Sequence, residues 1–88
     1  MTTFTQLSSP FNIGTMVLKN RMVMSPMTTA YCNDDQTPSE RLIRYFEERA
    51  KGGVGLITME LITIDEVHRY LHRSMTLADD KYIDAHRR

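Results

Sequence analysis

The most constraining feature of this chain is a pair of glycines set between a capped helix and a long apolar run. Thr37-Pro38-Ser39-Glu40 reads as a helix start. Thr37 is the expected N-cap, Pro38 the first helical residue, and Glu40 lies three residues after the cap, so that the Thr37 hydroxyl and the Glu40 carboxylate can each take the other's backbone N–H. Leu42, Phe46 and Ala50 recur at every fourth position with Ile43 beside them, which makes one apolar stripe. Arg44/Glu48 and Glu47/Lys51 set opposite charges four apart on the other side. Gly52-Gly53 ends the helix, because glycine enters the left-handed C′ conformation at little cost. Val54 to Ile64 then follows with no loop between, rich in β-branched residues and nearly continuous in apolar character, as in a strand buried on both faces. Upstream, Met22, Val23 and Met24 are consecutive apolar residues and predict a second such strand, which must stop near Ser25 because Pro26 has no N–H for a ladder. Strand, helix, Gly-Gly, strand is a βαβ unit, and it predicts an α/β fold with a parallel sheet.

Around that unit the chain is simpler. Residues 1–10 are polar and predict an irregular lead-in. Phe11-Asn12-Ile13 and Met16-Val17-Leu18 flank Gly14-Thr15, the pattern of a small β-hairpin. Thr28 to Gln36, with Asn33-Asp34-Asp35 at its centre, and Asp65 to Ser74 both read as loops. Asp79 or Asp80 is placed to cap a terminal helix running through Tyr82 and Ile83 to Arg88.

A chain of 88 residues allows one domain at most. Buried parallel strands need neighbours on each side and helices on each face, and two strands cannot provide that cover for each other. Residues 1–88 are therefore expected to be the N-terminal portion of a larger α/β domain. Eleven Lys and Arg balance 11 Asp and Glu, which argues against a nucleic-acid partner, since such proteins are usually basic overall. No stretch approaches the roughly 20 apolar residues that span a bilayer, so no membrane partner is expected. The single cysteine, Cys32, and an N-terminus without a signal-peptide pattern point to a reducing cytoplasm.

The order of segments carries a resemblance. Phe11-Asn12-Ile13-Gly14, Leu18-Lys19-Asn20-Arg21, Met24-Ser25-Pro26-Met27-Thr28 and the run from Glu48 to Ile57 resemble, in sequence and spacing, the Old Yellow Enzyme family of FMN-dependent NAD(P)H oxidoreductases, or ene-reductases. The resemblance spans about residues 7 to 88. It implies the N-terminal portion of a (β/α)8 TIM barrel: a capping hairpin, the first strand, first helix and second strand, and the start of the second helix, with the remaining barrel strands as its partners. It also implies FMN as cofactor, NAD(P)H as reductant, and hydride transfer to an activated C=C bond of a small unsaturated substrate of enoate, enone or dienoyl-CoA type. An iron–sulfur cluster and FAD would follow only if the parent were a multidomain dienoyl-CoA reductase type, and an oligomer is left open.

A TIM barrel carries its chemistry at the C-terminal ends of its strands. By the resemblance, Ser25, Pro26, Met27 and Thr28 lie against FMN, with Thr28 near the flavin O4/N5 edge, where its hydroxyl would tune the potential. Leu61 would contact FMN through its backbone, although the family usually has Gly or Ala there. Tyr31 would line the substrate side. Taken singly, Pro26 ends a strand, Met27 fills a core and Thr28 is a turn hydroxyl. The resemblance implies no catalytic residue in this segment, since the substrate-anchoring pair, the proton-donating Tyr and the phosphate site lie downstream in the family.

Four other features bear on the chemistry. His68 and His72 are four apart, a helical metal-ligand spacing, but no further ligand accompanies them and Arg69 and Arg73 crowd them, so no metal site is expected; the basic residues suit a rim that meets an acyl-CoA phosphate. Cys32 reads as an ordinary loop thiol. Glu60 ends a buried strand and needs a partner or solvent. Gly52-Gly53-Val54-Gly55 is not a dinucleotide fingerprint, because it follows a helix and precedes a strand. The alternative to an enzyme segment is a non-catalytic remnant or small interaction module, and the open reading frame after the Arg88 codon distinguishes the two.

Overall fold

The computed structural model describes residues 3–65 and 73–87. Its elements are α1 (Thr5–Ser8), β1 (Phe11–Ile13), β2 (Met16–Leu18), β3 (Val23–Met24), α2 (Glu40–Lys51), β4 (Leu56–Ile57), β5 (Ile62–Thr63), β6 (Met75–Thr76), a 3-10 turn at Asp80–Tyr82 and α3 (Ile83–His86). The lead-in is thus not wholly irregular: Ser8 N–H donates to Phe4 O and Arg21 N–H to Leu7 O, so one helical turn docks on the chain that enters β3.

The hairpin forms where expected. Asn12 faces Val17 across an antiparallel pair, and Gly14 turns the chain at φ +59°, a conformation that suits a residue without Cβ. The βαβ unit also forms. β3 and β4 pair in parallel, Val23 against Leu56 and Met24 against Ile57, with α2 between them in sequence. Gly53, at φ +105°, makes the turn out of α2, and its N–H caps Ala50 O.

Two expectations need correction. The N-cap of α2 is Ser39, whose Oγ accepts from Leu42 N at 3.0 Å, and not Thr37. Thr37 instead closes the preceding loop: its N–H and hydroxyl both donate to Asp35, and its carbonyl accepts from Asn33 N–H. Ser39 gains by the change, because its hydroxyl also donates to the Tyr31 carbonyl and so ties the loop to the helix. The apolar run from Val54 to Ile64 is likewise not one strand. Its first half follows β3 from Gly55 N–H to Thr58 N–H, the latter donating to Met24 O, and β3 then meets Pro26, which ends the ladder. Its second half finds a new parallel partner, Ile62 against Met75 and Thr63 against Thr76. β6 has no sequence signal of its own, since two residues cannot display a period.

The strands are also less covered than their composition predicts. Val23 is 54% exposed, and Met22, Met59 and Ile64 are exposed as well. The radius of gyration is 15.6 Å, against about 12 Å for a compact domain of this length. The accessible surface is 6612 Å², where a compact protein of this mass shows about 5,300 Å². Among the described residues, the well-buried cluster is Cys32, Leu42 and Met75, with Tyr31, Phe46 and Ile62 packed on it. It sits where the loop after β3, the start of α2 and β6 converge, and Leu42 supplies the apolar stripe's deepest contact at 1% exposure. Cys32 is therefore a core residue and not an ordinary loop thiol. No helix among the described residues is long and apolar enough to cross a membrane.

Candidate functional site at the carboxyl ends of the parallel strands

The candidate site is where β3 and β4 finish. Ser25, Pro26, Met27 and Thr28 leave β3 in sequence and all four are exposed, Met27 at 60%. Their exposure has a local cause: Pro26 stops the ladder, and the chain then peels from β4 before the loop is gathered in at Thr29. Past the end of the neighbouring strand β4, Met59 is exposed, Glu60 is buried and Leu61 is half-buried.

Glu60 is the residue whose role the sequence left unspecified. It is 3% exposed, and its partner lies within the chain: Thr29 Oγ1 donates to Oε1 at 2.7 Å and Thr29 N–H to Oε2 at 3.4 Å. Thr29 Oγ1 in turn accepts from Tyr31 N–H at 3.2 Å. Between them Ala30 stands at φ +61°, a left-handed conformation that a residue with a Cβ rarely takes. The Tyr31 ring turns onto α2, edge-on to Tyr45 at 6.0 Å between centroids, with the Arg41 guanidinium 3.7 Å from its own centroid. Tyr31 is half-buried there, so part of its surface remains accessible.

The rest of the loop is pinned from beneath. Gln36, also buried and at φ +66°, donates through Nε2 to Ser74 O and accepts through its carbonyl from Thr76 N–H. Arg73 forms an ion pair with Asp34 at 2.6 Å and reaches Cys32 O, so this cation is engaged with the loop. Burial pushes the Cys32 thiol above its ordinary pKa, and the negative charge of Glu60 adds to the effect, so the thiol stays protonated at neutral pH. His68 and His72 lie outside the described residues, and among the described residues no cluster of three His, Cys, Asp or Glu side chains is placed to hold a metal.

The opposite end of the same strands is closed. Asn20 Nδ2 donates to Gly53 O at 2.6 Å, and Asn20 Oδ1 accepts from Met22 N–H at 3.0 Å. Gly55 passes so near that a Cβ there would lie 2.4 Å from Asn20 O and 2.5 Å from Asn20 Oδ1. The Leu18-Lys19-Asn20-Arg21 motif and the Gly-Gly-Val-Gly motif are thus two halves of one clasp.

Comparison with known proteins identifies the family and the fold. Residues 6–88 match the sequence profile of the NADH:flavin oxidoreductase / NADH oxidase family, and the chain belongs to that family. It is 44% identical over 84 residues to an NADH oxidase of Thermoanaerobacter brockii, an alignment covering 94% of this chain and 13% of that protein. Two solved structures superpose well. A 2-naphthoyl-CoA reductase in complex with 2-naphthoyl-CoA matches at TM-score 0.88 and 25% identity, over 94% of this chain and 13% of that one. The old yellow enzyme from Trypanosoma cruzi matches at TM-score 0.82 and 26% identity, over 93% of this chain and 22% of that one. The chain thus spans about an eighth to a quarter of the length of these relatives, and corresponds to the N-terminal part of the barrel of an FMN-family oxidoreductase.

Proposed function

We propose that this chain forms the first wall of the FMN site in an NAD(P)H-dependent flavin oxidoreductase that reduces activated C=C bonds. The observation that supports it is the exposed run Ser25–Thr28 at the carboxyl end of a parallel strand, in a member of a flavin oxidoreductase family. The chemistry that a bound FMN supplies is hydride transfer from NAD(P)H to an activated double bond. The donor set fits such a group. Pro26 and Met27 offer an apolar surface for a flat ring, and Thr28 beside them offers a hydroxyl for a carbonyl edge. A donor aimed at an oxygen that gains negative charge on reduction favours the reduced form. Thr28 is thus assigned to tuning the potential, Ser25, Pro26 and Met27 to packing, and the backbone at Leu61 to closing the same wall. Leu61, half-buried, stands where the resemblance places a smaller residue, and its side chain either points away from the ring or narrows the space beside it.

Tyr31 contributes the part of its ring not held by Tyr45 and Arg41 to the substrate side. The substrate class is a small enone, enoate or acyl-CoA-type alkene; a reductase complexed with an aromatic acyl-CoA thioester is among the structural relatives. The phosphate grip, the substrate anchors and the proton donor belong to later parts of the barrel, and an iron–sulfur cluster and FAD to further domains, if present. The single cysteine suits a reducing cytoplasm. The reading is tested by purifying the full-length protein and measuring bound FMN and the NAD(P)H-dependent reduction of an enone. Protein that retains stoichiometric FMN and turns over supports it; protein that takes up no FMN refutes it.

A further inference from the structure

We infer that Glu60 is a positioning residue for the flavin-facing segment, acting through Thr29. This rests on the function proposed above and adds a residue that touches neither ring nor substrate. Three observations meet at this point. Glu60 lies in the connection between β4 and β5, three residues past the end of β4, with its carboxylate almost fully buried. Both of its oxygens accept from the same residue of the loop leaving the first strand, Oε1 from the Thr29 hydroxyl and Oε2 from the Thr29 N–H. Thr29 follows directly on Thr28, and its hydroxyl also receives the Tyr31 N–H, which closes a turn over Ala30 at φ +61°.

A buried carboxylate persists only where its hydrogen bonds compensate for lost water. A left-handed alanine likewise persists only where its surroundings hold it. Each explains the other here. The carboxylate locks the turn, and the turn joins Thr28 to the half-buried Tyr31 along the chain. Glu60 thereby couples the segment that follows β4 to the loop that leaves β3. If it were absent, the hydroxyl at Thr28 would be free to drift relative to whatever lies across the mouth of the barrel.

The test uses the full-length flavoprotein and four variants: Glu60→Gln, Thr29→Val, the double variant, and Thr29→Ser. Glu60→Gln removes the charge and leaves a single acceptor oxygen for the two Thr29 donors. Thr29→Val removes the hydroxyl and keeps the shape. Each is expected to retain FMN, shift its visible spectrum and midpoint potential, and slow flavin reduction by about 10- to 100-fold, the loss typical of a small misplacement. The double variant should lose no more than the worse single variant, because both act through one contact. Thr29→Ser, which keeps the hydroxyl, should restore wild-type spectrum and potential. Unchanged spectrum and potential in flavin-loaded Glu60→Gln, or multiplied losses in the double variant, would overturn the inference. If Glu60→Gln fails to fold, Thr29→Val with its Thr29→Ser rescue decides alone. Wild-type protein that holds no FMN defeats the underlying reading as well, whereas normal wild-type behaviour with silent variants defeats only this inference.

Discussion

The two ends of the β3–β4 pair are built to opposite specifications. At the amino end, Asn20 bridges to Gly53, receives Met22 N–H and presses on Gly55, so that no space remains for a single added carbon. At the carboxyl end, the same two strands release an exposed run, Ser25 to Thr28, and hold it from behind through one buried carboxylate. Two of the segments that carry the family resemblance, Leu18–Arg21 and the run from Glu48 to Ile57, meet at the closed end, which in a barrel is the end concerned with stability. A third, Met24 to Thr28, runs out to the open end, where the residues assigned to the flavin lie. The signature of the family is therefore divided between a structural clasp and the candidate site.

That contrast can be broken in several ways, and the largest effect is expected at the clasp. Gly55→Ala would drive a methyl group into the Asn20 backbone, which has no flexible end to yield. A destabilisation of about 3 kcal/mol or more is expected, beyond the usual range for overpacking. It would be read as a lower denaturant midpoint of the full-length protein, and an unchanged midpoint would show that the clasp is not rigid. Asn20→Ala removes two hydrogen bonds and leaves Gly53 O without its partner, for a loss of about 2–3 kcal/mol. Because the clasp lies at the far end, flavin potential should not move in any Asn20→Ala protein that folds.

Thr28→Ala should do the reverse. A hydrogen bond to developing charge is worth about 1.5–3 kcal/mol, which corresponds to a fall of about 30–60 mV in a two-electron potential. Reduction by NAD(P)H should slow, donation to the alkene should be equal or faster, and the denaturant midpoint should hold. Stopped-flow of both half-reactions with a redox titration checks all three, and an unaltered potential would remove Thr28 from the ring.

A smaller effect is expected from pH. The Cys32 thiol is raised by burial, so the native state keeps its proton at a pH where the unfolded chain has lost it. The unfolded state then binds fewer protons, and stability falls as pH rises. The contribution is complete below the unfolded thiol's value of about 8.5 and is lost as pH climbs through the raised native value. Wild type should therefore lose stability relative to Cys32→Ala as pH rises above about 8.5, and alkylation of the native thiol should be slow. Parallel pH profiles for the two proteins would show that the thiol is not held in the core. The smallest effect is expected on the outer face of α2. Lys51 lies 2.9 Å from Glu47 and holds its carboxyl below the ordinary range, but the pair is solvated. Glu47→Gln should leave both midpoint and potential unchanged.

The hairpin around Gly14, the helix ending at Gly52-Gly53, the parallel pairing that must follow and the family are all legible along the chain. Each is written in local chemistry, as a turn glycine, an i, i+4 stripe or a proline that ends a ladder. Other features depend on contacts between distant segments. The choice of Ser39 over Thr37 as N-cap depends on a carbonyl at Tyr31, which no local pattern contains. The division of the run from Val54 to Ile64 depends on where its partners stop and start, since a strand lasts only as long as something pairs with it. The bond from Glu60 to Thr29 spans 31 positions. Distances of that kind are set by the packing of whole elements, and periodicity along a single chain carries no information about them.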